Sequence, residues 1–188
     1  MKTERKATIL AGGFYFIGLA SGLLSVVPVV DLPDYLVQIS LHSSQVTAGA
    51  FFQFLMMAAY VGMALSLYPV LKKHSESLAL GYLGFRLIAA AMIVIGVILL
   101  PILLTLSQGF VAAGAPASSP FQTIGEMLRT TRDLVNHTGT ILVLSLGGLL
   151  LNFLLYQTRL VPRWLAGWGI LGTAIAIVAS CLFLSRLI

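Results

Sequence analysis

A chain of 188 residues that is 59% hydrophobic and 9% charged is too poor in charge to cover the exterior of a water-soluble domain. The formal net charge of +5 comes from Lys and Arg placed beside apolar stretches. No basic run is long or aromatic-interleaved, which argues against nucleic acid and for membrane topology and anionic lipid. The lone Cys181 excludes an intrachain disulfide.

Five apolar stretches, residues 7–30, 46–71, 79–104, 134–158 and 164–185, each reach the roughly 20 residues a helix needs to cross a bilayer. Arg86 is the only formally charged side chain within them. The prediction is an all-α polytopic transmembrane helical bundle, one domain over residues 1–188, with five spans plus a short interfacial helix. Span 1 follows Lys2, Arg5 and Lys6, and its apolar run exceeds a typical signal-peptide core, so it reads as retained. Gly18 and Gly22 form a small-xxx-small face, as do Ala58 and Gly62 in span 2; such faces let helices approach closely, within the chain or in a homo-oligomer. Asp31–Ser44 reads as a loop. Span 3 carries Arg86 and Pro101, where a kink is expected. After a linker rich in Ala, Gly, Pro and Ser, Ser119-Pro120 starts an amphipathic helix over about 120–133 that is predicted to lie at the interface. Span 5 opens on Arg163-Trp164 with Trp168 one turn on, an interfacial anchor.

With the N-terminus cytoplasmic, Lys2, Arg5, Lys6, Lys72, Lys73, Arg159 and Arg163 fall inside, and Arg129, Arg132 and Arg186 outside. Seven against three predicts N-inside and C-outside in the cell's inner membrane.

The segment Tyr156-Gln-Thr-Arg159-Leu-Val-Pro162-Arg163-Trp164-Leu-Ala-Gly167-Trp168-Gly169, together with Phe85-Arg86 and Ala11-Gly12-x-x-Tyr15, resembles the "domain of unknown function 4386" family of small bacterial multi-pass membrane proteins. The resemblance implies a helical membrane fold and lends no activity. Members usually carry an acid shortly after the span 3 Arg, where this chain has Ala89, and commonly continue into a sixth span, where this chain stops at Ile188. The second difference leaves a five-span variant or a shortened chain.

Arg86, about eight residues and so roughly 12 Å into span 3, is the first candidate for binding. Tyr60 and Asn152 are placed at similar depth, and the three would make a cationic pocket for an anionic or amphiphilic ligand. The plainer reading is an Arg that snorkels to the cytoplasmic phosphates. Asp133 and His137, four residues apart on one helical face, are a candidate pH-responsive pair or a simple polar cap. Topology separates His74 from His42 and His137, so neither a metal nor another cofactor is expected, although His42, His137 and a nearby acid are the set that zinc would use. No GxSxG, HExxH or paired intramembrane acids occur, so the enzyme question leans to no. The preferred expectation is a non-enzymatic membrane component or binder of membrane lipid or another amphiphile. A transporter or channel subunit is second, and a membrane enzyme with a site around His42 and His137 third.

Overall fold

The computed structural model describes residues 2–116 and 119–185. Among them are α1 (Lys2–Leu24), a 3-10 turn (Pro28–Val30), α2 (Tyr35–Leu41), α3 (Ser43–Leu71), α4 (Glu76–Ala112), α5 (Pro120–Leu134), a π-helical segment (Val135–Leu142), α6 (Val143–Thr158) and α7 (Arg163–Leu184). Arg186, counted in the charge balance, lies outside the described residues. Five helices are long and apolar enough to cross a membrane, and the chain is a multi-span membrane protein.

Local chemistry sets the corners. Between α3 and α4 the chain turns within Lys72–Ser75, where the Ser75 hydroxyl accepts a hydrogen bond from the Leu78 N–H at 3.4 Å and Glu76 meets the positive end of the α4 dipole. So short a turn makes the two helices antiparallel neighbours. α6 ends on Arg159 in the left-handed conformation (φ 57°), and Pro162 precedes the first turn of α7. The Arg163 guanidinium then lies 5.3 Å from the centre of the Tyr156 ring, tying the two sides of this corner together. Pro69 and Pro101 both remain inside continuous helices, and the Thr105 hydroxyl donates to the Pro101 carbonyl at 2.9 Å.

The spans pack as a row: α1 on α3, α3 on α4, α4 on α6, α6 on α7. Among the described residues no extended packing joins α7 to α1 or to α3. Two reciprocal fits align α1 with α3. The Phe14 ring sits against Gly62, and the Tyr60 ring against Gly18. The two small-residue faces read from the sequence thus meet large side chains of the same chain, while Ala58 is exposed. At one end of this pair Lys73 donates to Glu4 at 2.6 Å.

Two features depart from the sequence reading. The stretch Asp31–Ser44 is not an irregular loop, because α2 folds back over the bundle. Tyr35, Leu36 and Ile39 of α2 join Val30, Leu100, Leu103 and Phe110 in a buried cluster, and the Ser107 hydroxyl donates to the Leu36 carbonyl. The amphipathic helix at 120–133 is present as α5, but it is not a separate element: Pro120–Thr158 runs as one unbroken helix of 39 residues. Nothing between Arg129 and Gly139 breaks a helix, and the chain absorbs the junction as a π-helical stretch in which Gly139 faces the Met92 side chain. At about 1.5 Å per residue, the 37-residue α4 is about 55 Å long and the 39-residue helix is similar, so both outreach a hydrocarbon core of roughly 30 Å.

Most of α7 is unburied. Trp164, Trp168, Leu171, Ile175, Val178 and Leu182 form one exposed stripe, with Trp164 68% exposed. In a membrane chain that stripe faces lipid, with the two indoles at the helix start.

Candidate binding site

A cavity of about 550 Å³ opens at the end of the bundle that carries α2 and α5. Its walls come from six parts of the chain. α1 and its exit contribute Gly22, Ser25 and Val26, the following turn Asp31, and α3 contributes Gln53 and Met56. The end of α5 supplies Arg132 and Asp133, the π segment Asn136 and His137, and α7 supplies Phe183. The row of helices therefore curls here, since the last turns of α1 and α7 face the same space without packing along one another.

Polar groups inside it are under-satisfied. Gln53 is 7% exposed, and its Oε1 accepts no hydrogen bond. Gly96 of α4 leaves space beside the Gln53 amide nitrogen, which a side chain there would crowd. The Arg132 Nε is likewise buried without an acceptor. Outside the residues that line the cavity, Thr138 and Thr140 in the π segment also have buried hydroxyls without partners, whereas Thr47 and Thr131 in ordinary helix bond the carbonyl four residues back. An unpaired buried donor or acceptor costs about 1–3 kcal/mol, so such groups in one place ask for a ligand or water.

Asp133 and His137 line this one cavity. Asp133 lies within electrostatic reach of His137, Arg132, Arg129 and Asp31, while the His137 ring stacks on Phe183 with centroids 4.2 Å apart. No hydrogen bond joins Asp133 to His137 among the described residues. Arg129 is engaged elsewhere, 3.5 Å from Glu126 and over the Tyr35 ring at 5.1 Å. Burial, helped by the Glu126 charge, pushes the Tyr35 phenol above its ordinary range in a neighbouring cleft. His42 does not reach the His137 cavity; its Nδ1 lies 2.9 Å from the Gln38 carbonyl. Among the described residues no three His, Cys, Asp or Glu side chains converge as a metal would require.

Arg86, Tyr60 and Asn152 separate into two arrangements. The Arg86 guanidinium sits between two rings, 5.4 Å from the centre of Tyr60 and 5.4 Å from that of Tyr82. Tyr82 is fully buried and was not singled out by sequence; its place one turn before Arg86 on α4 was the available signal. Asn152 belongs to the α6–α7 contact instead. Its amide donates to the Gly148 carbonyl at 2.9 Å and rests against Gly169. No hydrogen bond joins it to Arg86 among the described residues. Ala89, where the family resemblance implies an acid, is fully buried. Trp164 and Trp168 are exposed beside Arg163, which is held over Tyr156.

Gln53 and Arg132 are the cavity-lining residues that sequence reasoning passed over. Gln53 is the one side-chain amide in the apolar run 46–71, and that isolation was its signal.

These features define a small polytopic helical membrane protein with a polar cavity at one end. The chain belongs to the family described as "Domain of unknown function (DUF4386)", whose profile matches residues 10–187. No curated protein and no solved structure matches it.

Proposed function

We propose that this protein is a non-enzymatic binder of an amphiphile, whose polar head occupies the cavity between α1, α3, the π segment and α7. The observation that carries the reading is that Gln53 and Arg132, two residues that line one cavity, each hold a buried polar atom without a partner, Oε1 and Nε. Its volume of about 550 Å³ falls within the range of roughly 300–1,000 Å³ usual for small-molecule sites. Arg86 Nε is also buried without a hydrogen-bond partner, but its guanidinium lies over two tyrosine rings and Arg86 does not line this cavity, so the reading gives it a structural role.

Native mass spectrometry after gentle detergent extraction tests this reading. Wild-type protein should retain lipid. Gln53→Leu, which replaces an unsatisfied amide with an apolar group of similar size, should raise the thermal midpoint of the lipid-free protein and cut lipid retention roughly tenfold, about 1.4 kcal/mol. A wild-type protein that carries no lipid, or a Gln53→Leu variant that retains it unchanged, contradicts the reading.

In the same proposal the N-terminus is cytoplasmic in a bacterial inner membrane and the cavity opens outside. The Lys and Arg balance around the spans supports this. In a Cys181→Ala background, Thr123→Cys should react with a membrane-impermeant maleimide in intact cells, and Lys73→Cys only after permeabilisation. Labelling of both from the same side, or the reverse order, overturns the orientation.

A further inference from the structure

We infer that the head group taken by this cavity is a phosphorylated primary amine, the ethanolamine-phosphate head of a phospholipid, with its acyl chains leaving between α1 and α7. The inference rests on the amphiphile-binding reading and adds the chemistry of the ligand.

The charges on the wall are of both signs: Asp31 and Asp133 against Arg132. Among the described residues, a purely anionic head would face two carboxylates for one guanidinium. A purely cationic head would leave Arg132 Nε without an acceptor. A zwitterion satisfies both, its ammonium toward the acids and its phosphate on the guanidinium, whose planar fork suits phosphate oxygens.

Hydrogen bonding narrows the amine. Gln53 Oε1 is an unpartnered acceptor with almost no exposed surface, and an N–H donor reaches it when the Gln53 side chain turns into the cavity. A primary ammonium offers three N–H donors, enough for the amide and the two carboxylates, whereas a trimethylammonium offers none. The buried amide is independent of the acidic pair, since it lies on α3 while Asp31 and Asp133 lie on the turn after α1 and on α5.

The apolar part of the wall supplies the exit. Val26, Met56 and Phe183 stand where the ends of α1 and α7 approach without packing along each other, so a chain can pass from the cavity to the lipid phase. Neighbouring Arg129 does not compete for the phosphate, being held by Glu126 and Tyr35.

The test uses the full chain in detergent and phospholipids with identical acyl chains, bound amounts being read by native mass spectrometry. Phosphatidylethanolamine should bind at least tenfold tighter than phosphatidylcholine or phosphatidylglycerol. Asp133→Asn and Asp31→Asn should each shrink that preference several-fold, and Arg132→Gln should weaken ethanolamine and choline lipids alike. Soluble phosphoethanolamine should fail to displace the lipid at concentrations where lyso-phosphatidylethanolamine succeeds. Equal binding of the ethanolamine and glycerol lipids overturns the inference while leaving the amphiphile-binding reading intact; absence of any bound lipid removes that reading itself. Displacement by phosphoethanolamine as effective as by the lyso-lipid overturns the exit between α1 and α7. The wild-type lipid series decides the head group even where a variant fails to fold.

Discussion

Gly62→Leu is expected to lower the thermal midpoint of the purified protein by roughly 2–10 °C, the shift that about 1–3 kcal/mol of overpacking produces in a chain of this size. A Cβ at residue 62 would stand 2.7 Å from the Phe14 ring, inside any real contact distance, and the rest of a leucine side chain would need the same space. Phe14 cannot retreat without parting α1 from α3, and that also withdraws Tyr60 from Gly18. In lipid no hydrophobic drive brings the helices back, because lipid tails are as apolar as the face they would cover. Gly12 is the control. Nothing lies within 4 Å of a Cβ built there, so Gly12→Ala should leave the midpoint unchanged or raise it slightly through better helix propensity. A Gly62→Leu protein as stable as Gly12→Ala would show that α1 and α3 do not depend on this close approach.

The second large effect concerns Arg86. Arg86→Lys is expected to cost about 1–2 kcal/mol, measured by reversible unfolding in mixed micelles, although it keeps the charge. A planar guanidinium lies against two aromatic faces at once, those of Tyr60 on the neighbouring helix and Tyr82 on its own. An ammonium is a compact and strongly hydrated charge that cannot lie flat on both rings. Tyr60→Phe preserves a ring and should be close to neutral, whereas Tyr60→Leu should lose about half of the Arg86→Lys effect. Were Arg86→Lys indistinguishable from wild type, Arg86 would need only a positive charge, as a snorkelling residue does. The pairing also gives a cation in a membrane helix a way to stand without an acid, with a buried alanine at Ala89.

The site is where a linear reading is weakest. Asp133 and His137 were legible as neighbours because helical spacing places residues four apart on one face. That Gln53, Asp31 and Phe183 share their cavity was not legible, since these residues are separated by whole spans and meet only through the order and rotation of the helices. Depth counting placed Asn152 beside Arg86, but Gly147 packs on Phe85 and Leu150 on Gly81, which sets Asn152 opposite the start of α4, and α6 turns its side chain toward Gly169 of α7. The α2 fold-back was hidden because its apolar face, Tyr35, Leu36 and Ile39, is only two turns long and follows Pro33 and Asp34, which read as loop.

What the sequence determined by itself was the solvent and the secondary structure: five helices long and apolar enough to span a membrane, and the amphipathic character of 120–133. Each is a local property, set by the length of an apolar run or by spacing within a few turns, because a bilayer requires every backbone group to be bonded within the helix itself. Only the tertiary structure decided that the small-residue faces meet Phe14 and Tyr60 within the chain, that α5 continues into α6 through a π turn, and that the row of helices curls to bring α1 and α7 to one cavity. Those outcomes depend on how each helix is rotated about its axis, and in lipid that rotation is set by side-chain packing between helices, which hydropathy does not record.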